Sequence, residues 1–301
     1  MKHAKGRARV ELFFSAVLFG IMACLAKAAS ARADHFDAGQ LTTIRFAVGA
    51  AITLGLFGAR PGTFRPGRWP LLAARGIFGG LAVLFYFIAL AYVPAGEATL
   101  LNNTFPVFAV ILAIFSLGER PTIHLAGALA LTTLGVVLVM GGGTLRIGLG
   151  PGELAGGISA VLGAAAVTAI RKLRAEVNAP TIFFAFCLGG LLVSFPFALR
   201  PWPQDPATWA LGVGVGVLSF GAQILMTDAY GALTVGEAAV WQQLTPVASF
   251  MWAVPLLAEP ISAGTAVGVL VGAAGVVYGS LLGHRPELGH APADVVTAGP
   301  T

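Results

Sequence analysis

The stretch GEATLLNNTFPVFAVILAIFSLGE, residues 96–119, returns in altered form as GEAAVWQQLTPVASFMWAVPLLAE at residues 236–259. Both copies begin with Gly-Glu-Ala, contain a pair of side-chain amides followed by a proline, and end in a glutamate. The residues around the amides are mostly apolar. The repetition indicates an internal duplication, and it places polar groups inside two strongly apolar segments.

The composition indicates a membrane protein with many spans. Of the 301 residues, 57% are hydrophobic and 10% are charged, whereas soluble domains carry about 25% charged residues. The apolar residues fall in blocks of about 20, the length of helix that crosses a bilayer core. The net charge of +5 lies in short clusters between these blocks, which is typical of membrane loops and does not indicate nucleic-acid binding.

The apolar blocks predict an all-α integral membrane protein with ten transmembrane helices. The predicted spans are 10–30, 40–59, 70–92, 96–117, 123–141, 152–172, 179–199, 207–228, 236–257 and 262–282. They divide into a first five-helix repeat at 1–140 and a second at 152–283, joined by a Gly-rich linker at 141–151. A polar tail at 284–301 is expected to be disordered. Because five is odd, the second repeat is inverted relative to the first.

The distribution of basic residues predicts the orientation. With the N-terminus inside, thirteen Lys and Arg residues fall on the inside and four on the outside, with Arg45 within a span. This excess predicts that both termini are cytoplasmic in a bacterial-type inner membrane. The inside residues are Lys2, Lys5, Arg7, Arg9, Arg60, Arg65, Arg68, Arg75, Arg120, Arg171, Lys172, Arg174 and Arg285, and the outside residues are Lys27, Arg32, Arg146 and Arg200.

Over nearly its whole length, the chain resembles the EamA-type branch of the drug/metabolite transporter superfamily. The ten spans, the two five-span repeats, and a proline in each fourth span followed by a closing Gly-Glu or Ala-Glu carry the resemblance. The matching residues are Gly20, Lys27, Arg45, Phe46, Pro106, Gly118, Glu119, Pro246, Ala258 and Glu259. The resemblance implies transport of small organic solutes, often export of amino acids or related metabolites.

The amide pairs are the main candidates for a substrate site. A proline inside a helix frees the carbonyl group four residues earlier, which is that of Asn102 for Pro106 and that of Gln242 for Pro246. Such polar groups in hydrocarbon need partners or a water-filled cavity. We therefore predict a kink at each proline and a polar cavity at the midplane, with bonding between neighbouring helices as the alternative. The predicted substrate-binding amides are Asn102, Asn103, Gln242 and Gln243.

Two basic and two aromatic residues complete the predicted binding site. Lys27 and Arg45 lie within spans, where an ionisable residue suggests function by default. Either could meet a substrate carboxylate or extend toward the membrane surface. Tyr86 and Trp241 fall near the cavity layer by linear position, with packing or lipid contact as the alternative.

Three carboxylates are candidates for proton or ion coupling. Glu97 and Glu237 begin their helices, where the helix dipole already stabilises a carboxylate. That structural explanation is favoured over coupling. Asp228 lies near the inner end of the eighth span, with an interfacial position as the alternative.

The sequence lacks the motifs of several other functions. The sequence contains no His-Glu-x-x-His zinc motif, no Gly-x-Ser-x-Gly elbow and no phosphate-binding loop. We therefore expect no enzyme activity, no cofactor and no metal. The expected partners are a small-molecule substrate and the lipid bilayer, and the sequence leaves monomer and homodimer open.

The leading hypothesis is a secondary transporter that exports small organic metabolites such as amino acids. Alternating access between the inverted repeats would open a midplane cavity to each side in turn. The first alternative is an exchanger or uptake carrier for larger metabolites, such as a nucleoside or an S-adenosylmethionine-like solute. Alternatives from other classes are a membrane enzyme and a passive channel.

Overall fold

The computed structural model describes residues 2–92, 101–140, 150–257 and 263–282, which contain eleven helices. These are α1 (Lys2–Ser30), α2 (Ala38–Ala59), α3 (Trp69–Tyr92), α4 (Phe105–Leu117), α5 (Ile123–Met140), α6 (Pro151–Leu173), α7 (Ala179–Ala198), α8 (Pro206–Ala229), α9 (Val235–Gln242), α10 (Leu244–Leu257) and α11 (Ala263–Leu282). The predicted tail, most of the predicted linker and Glu97 lie outside the described residues.

The predicted all-helical membrane fold is confirmed. Helices α1, α2, α3, α6, α7 and α8 are each long and apolar enough to cross a membrane, and α4, α5 and α11 contain shorter apolar helices. Most helix ends agree with the predicted spans to within a few residues. The exceptions are α1, which begins at Lys2, and α4, which begins at Phe105 where the predicted span begins at 96; the ninth predicted span is divided into α9 and α10. Apolar blocks of bilayer length therefore located the helices well.

The chain breaks before each of the two repeated prolines instead of kinking within a continuous helix. Residues 101–102 are helical, 103–104 form a turn, and α4 then begins at Phe105. In the second half, Gln243 separates α9 from α10. Pro106 and Pro246 thus fall in the first turn of a new helix. The N–H groups of a first turn have no partner within the helix, so proline costs little there.

The two halves pack with an internal exchange symmetry. Helices α1 and α6 are counterparts, as are α3 and α8, and α4 and α10. The contact of α1 with α8 therefore repeats that of α6 with α3, and the contact of α1 with α10 repeats that of α6 with α4. Helix α2 packs on its own counterpart α7, and α5 packs on α11. Each helix of one half therefore meets the helices of the other half that the duplication predicts, so the two halves interlock.

Glycines bring the two halves into backbone contact. A Cβ atom on Gly189 of α7 would lie 2.5 Å from the Cα atom of Gly76 in α3. A Cβ atom on Gly135 of α5 would lie 2.5 Å from the Cα atom of Gly272 in α11. Membrane helices approach closely through such small residues, because lipid supplies no hydrophobic drive between helices. The contact between α3 and α7 also sets the position of the residues on α3 that face inward.

Candidate substrate-binding site

A cavity of about 730 Å³ lies between the two halves. Its volume falls within the usual range for small-molecule sites, about 300–1,000 Å³. Most of its lining is apolar, with a small set of polar side chains from both halves. The polar residues that line it are Lys27, Ser30, His35, Asp37, Arg45, Arg75, Tyr86, Asn102, Asn103, Gln223, Gln242, Thr245 and Ser249.

The cavity reaches one end of the helix bundle and is closed toward the other. Its lining includes Lys27 and Ser30 at the end of α1, and Asp37 just before α2. Toward the opposite end, a buried apolar cluster fills the space between the halves. We call this the closing cluster, and its larger members are Leu12, Leu72, Ile170, Leu173, Met226, Tyr230 and Leu233.

The first amide pair lies at the break before α4 and faces the cavity. Asn102 Nδ2 donates to Ser159 Oγ at 2.7 Å, and Ser159 Oγ donates to the carbonyl oxygen of Ala82 at 2.7 Å. This chain of bonds ties the break to α6 and α3. Asn103 also lines the cavity and is buried. Both predicted residues are therefore placed where a solute could meet them.

The second amide pair is split by the break at Gln243. Gln242 lines the cavity, and its Nε2 donates to the hydroxyl group of Tyr230. Gln243 does not line the cavity, because its side chain is turned toward α5, where Nε2 donates to Thr133 Oγ1 at 3.1 Å. The helix-bonding alternative therefore describes Gln243, whereas Gln242 matches Asn102 in position.

Of the predicted basic and aromatic residues, three line the cavity and one does not. Lys27, Arg45 and Tyr86 line the cavity. Arg45 Nε donates to Ser219 Oγ at 2.7 Å, and the Arg45 side chain is buried. Trp241 does not line the cavity but packs against the apolar clusters between the halves, which is the packing alternative.

Arg75 is a cavity residue that the charge count set among the inside residues. It is the seventh residue of α3, only 3% exposed, and Nη2 donates to Gln223 Oε1 at 3.2 Å. Its carbon Cζ lies 3.8 Å from the ring centroid of Phe186. The prediction counted Arg75 with the inside residues, although it lies within the predicted span 70–92. An arginine inside an apolar block was the signal that could have identified it.

The described carboxylates proposed for coupling have structural partners and do not line the cavity. Glu237 forms a capping box with Thr234 at the start of α9, with Glu237 Oε2 accepting from the Thr234 N–H at 3.2 Å. Asp228 pairs with Arg174 at 2.7 Å and with Arg7 at 3.5 Å, at the end of α8. Helix capping and interfacial pairing, the two alternatives weighed from the sequence, fit these positions.

Glu119 joins the two halves outside the spans. Both of its carboxylate oxygens accept from the Val235 N–H at the start of α9, at 3.2 and 3.0 Å. Burial raises the pKa of Glu119 above its ordinary value, while the Val235 N–H and Arg171 act in the opposite direction. The glutamate that closes the repeated stretch therefore caps a helix of the other half.

Within the residues that the structure describes, no three His, Cys, Asp or Glu side chains lie close enough together to hold a metal ion.

Comparisons with known proteins agree with this architecture. The profile of the EamA-like transporter family matches residues 10–141 and again residues 150–280. The chain is 27% identical over 256 residues to the pseudopaline exporter of Pseudomonas aeruginosa, covering 84% of this chain and 89% of that relative. It is 29% identical over 251 residues to the aromatic amino acid exporter of Ancylobacter novellus, covering 71% of this chain and 84% of that relative.

A solved crystal structure has the same fold. It superposes with a TM-score of 0.76 at 23% sequence identity, covering 92% of this chain and 97% of the other. At this identity the likeness concerns the arrangement of helices alone.

Proposed function

The chain belongs to the EamA-like transporter family, and on that premise we propose that it exports small organic metabolites such as amino acids by secondary transport. Membership in this family makes it a multi-pass membrane transporter and not an enzyme. Two curated relatives are named as exporters, of pseudopaline and of aromatic amino acids. Their names support export as the direction and small metabolites as the cargo.

One observation carries the proposal: a cavity between the interlocked halves that holds a few polar groups in an apolar wall. The two break amides, Asn102 and Gln242, enter it from opposite halves. Amides both donate and accept hydrogen bonds, so they suit the mixed polar groups of a small metabolite. A site built from both halves is what a carrier needs, because movement of the halves then exposes the solute to each side.

Alternating access gives the closing cluster a role. We take the present state as open at the end where α1 meets α2, with the closing cluster sealing the other end. Opening that other end requires Leu12, Leu72 and Tyr230 to separate. An aromatic group at the open end, in which Phe36 lies 5.4 Å from Trp209 and 6.0 Å from Trp202 between ring centroids, would then close the first entrance.

The proposal also covers orientation and energy coupling. Removing the buried Arg75 from the inside set reduces it from thirteen to twelve, against four outside. The excess still favours an orientation with both termini in the cytoplasm, in a bacterial-type inner membrane. Glu237 and Asp228 are not used for proton coupling in this proposal, because capping and ion pairing already engage them. We propose that the solute gradient or solute exchange drives the flux.

Counterflow into proteoliposomes tests this function. Vesicles are loaded with mixed amino acids, and radiolabelled aromatic, aliphatic and sulfur amino acids are offered outside. Vesicles loaded with mixed nucleosides are then offered radiolabelled nucleosides. We expect one class to accumulate with saturation. Asn102→Ala and Gln242→Ala should each lower the rate about three- to tenfold, equivalent to roughly one hydrogen bond. Gln243→Ala is the matched control, because that amide is also buried but faces α5.

Each failure has a distinct meaning. Uptake that does not saturate and shows no counterflow would identify a channel. Preferential counterflow of nucleosides would replace amino acids with a larger metabolite. Absence of movement for every tracer would refute amino-acid and nucleoside transport together, and equal rates in all three variants would remove the break amides from the site.

A further inference from the structure

Arg75 holds a buried positive charge that its protein partners satisfy only in part. Its Nη2 group donates to the neutral oxygen of Gln223, while its buried Nε has no hydrogen-bond partner. Its guanidinium stacks on Phe186, which offers cation–π attraction but no acceptor. A guanidinium keeps its charge and normally binds carboxylate or phosphate through two parallel hydrogen bonds.

Arg45 brings a second positive charge to the same cavity. It is 6% exposed, and its hydrogen bond to Ser219 again goes to a neutral oxygen. Its Cζ lies 5.7 Å from the ring of Phe46, and that ring packs edge-on against Phe186 at 4.8 Å between centroids. The two arginines therefore lie around one aromatic pair and face one space.

Among the described residues that line the cavity, no carboxylate is paired with these arginines. Among the described residues that line it, Asp37 is the carboxylate, and it pairs with Arg200 at 2.8 Å. Within the described ranges, no ion pair joins Arg45 or Arg75 to a carboxylate. Unbalanced charges inside a membrane protein are costly, and they mark paths for substrates or ions.

We infer that Arg45 and Arg75 form a subsite for an anionic oxygen group, and that the transported solute carries a carboxylate or a phosphate that binds there. This inference rests on the proposed function and narrows its substrate class. The solute's oxygens supply the acceptor that Arg75 lacks. The break amides then contact its neutral polar groups.

Gly79 supports this assignment. It lies one turn after Arg75 on α3 and lines the cavity. A Cβ atom at this position would fall 2.7 Å from Phe186 Cε2 and collide with Nη1 of Arg75. The absent side chain therefore leaves the room that the guanidinium occupies. Gly79→Ala should displace the charge without removing it.

Binding to the purified protein tests the inference without requiring transport. Thermal unfolding in a neutral detergent is followed with succinate against succinamide, and with glycerol 3-phosphate against glycerol. We expect an anion to raise Tm and its neutral counterpart to have no effect. The succinate arm and the phosphate arm show which oxygen group fits. Arg45→Gln and Arg75→Gln should abolish the rise, and Arg75→Lys should retain part of it.

A second readout separates a binding role from a structural one. If Arg75 binds substrate, the Arg75→Gln protein without ligand should have a Tm equal to or above that of the wild type, because a buried unbalanced charge is removed.

Gly79→Ala should weaken anion binding about tenfold, whereas the anion affinity of Gly163→Ala should stay within about twofold of the wild type. Gly163 also lines the cavity, but its Cβ would lie 3.6 Å from its nearest neighbour, an ordinary contact.

The outcomes keep this inference separate from the transport proposal. No rise in wild-type Tm with any anion, an equal rise with the neutral counterparts, or a rise that survives both glutamine variants would overturn it. Saturable counterflow of neutral solutes in the same preparation would then leave the transporter proposal intact. Conversely, anion binding without counterflow of any tracer, labelled succinate included, would retain the subsite and remove transport.

Discussion

Asn102 and Gln242 occupy the same place in the two halves, 140 residues apart, and both line the cavity at a helix break. The cavity arginines have no such counterparts. The same spacing sets Val215 opposite Arg75. Aligning α2 and α7 by their N-cap residues sets Phe186 opposite Arg45. The breaks are therefore duplicated, whereas the positive charges are confined to the first half.

The second half supplies what surrounds those charges. Gln223 and Ser219, both on α8, accept hydrogen bonds from the two arginines, and Phe186 of α7 stacks on one of them. Duplicated features build the scaffold and the parts that move. Features present in one half alone set the chemistry of the solute. This division makes separate predictions for the scaffold and for the site.

The largest loss of stability is expected where backbone atoms of the two halves are in direct contact. Gly189→Ala would place a Cβ atom 2.5 Å from Gly76 Cα, and neither backbone can move away easily. We expect a loss of about 3 kcal/mol of stability, measured as thermal or denaturant unfolding in detergent. Gly157→Ala is the control, because its Cβ would have no neighbour within 4 Å. It should be neutral or gain up to about 1 kcal/mol from helix propensity.

A Gly189→Ala protein as stable as the wild type would show that α3 and α7 are not held in close contact. The duplicated scaffold would then be looser than its interlocked packing suggests. Equal losses for Gly189→Ala and Gly157→Ala would point to a general effect of alanine and not to the contact between halves.

Smaller losses of stability and of transport rate are expected at the two helix breaks, and comparing them tests whether the breaks are equivalent. Ser159 accepts from Asn102, and the Tyr230 hydroxyl accepts from Gln242. Ser159→Ala and Tyr230→Phe each remove one hydroxyl group and leave the amide in place. We expect each to cost about 1 kcal/mol of stability and to lower counterflow about threefold to fivefold. Both substitutions keep nearly the same shape, so packing losses are small.

Unequal outcomes would sharpen the comparison. If Tyr230→Phe alone lowers transport, the second break positions solute and the first is mainly structural, and the reverse result assigns the opposite roles. Thr133→Val serves as the control for both, because it removes the partner of Gln243, which faces α5. It should cost stability and leave the transport rate of the remaining folded protein unchanged.

Much of the fold was predictable because its determinants are local. Apolar blocks of bilayer length fixed the helices, and the repeated stretch indicated two halves. The direction of adjacent side chains was not predictable in the same way. Gln242 and Gln243 point to different neighbours, as adjacent residues of a helical turn do, and the sequence does not show which of the two faces the cavity. Trp241 is likewise turned into the apolar packing between the halves.

An arginine inside an apolar block marks Arg75 as a candidate, but its burial in the cavity depends on distant helices that the sequence does not place. Its local position, seven residues into a helix, suits a residue extending toward the membrane surface. The approach of α7 at Gly76, the absent side chain at Gly79 and the acceptor Gln223 together hold it inside. Two of these features, the approach of α7 and the acceptor Gln223, join parts of the chain that the sequence alone does not bring together.

The smallest effect is expected at Glu119, the repeated glutamate that caps α9. Burial raises the pKa of Glu119, so folding favours its neutral form. Its contribution to stability is therefore fully present below the ordinary carboxyl range and is lost as the pH rises through the raised folded value. Relative to Glu119→Gln, the wild type should have a higher Tm at acid than at neutral pH, by about 2 °C or less.

Two further variants connect this effect to the comparison between halves. Arg171→Gln should enlarge the pH dependence, because Arg171 lowers the pKa of Glu119. Glu259→Gln should show a dependence of the same sign if the duplicated glutamates act alike. A difference that is absent, or larger at neutral pH, would mean that the Val235 N–H and Arg171 outweigh burial. Glu119 would then join the halves in its ionised form, whereas the amides at the two breaks are uncharged.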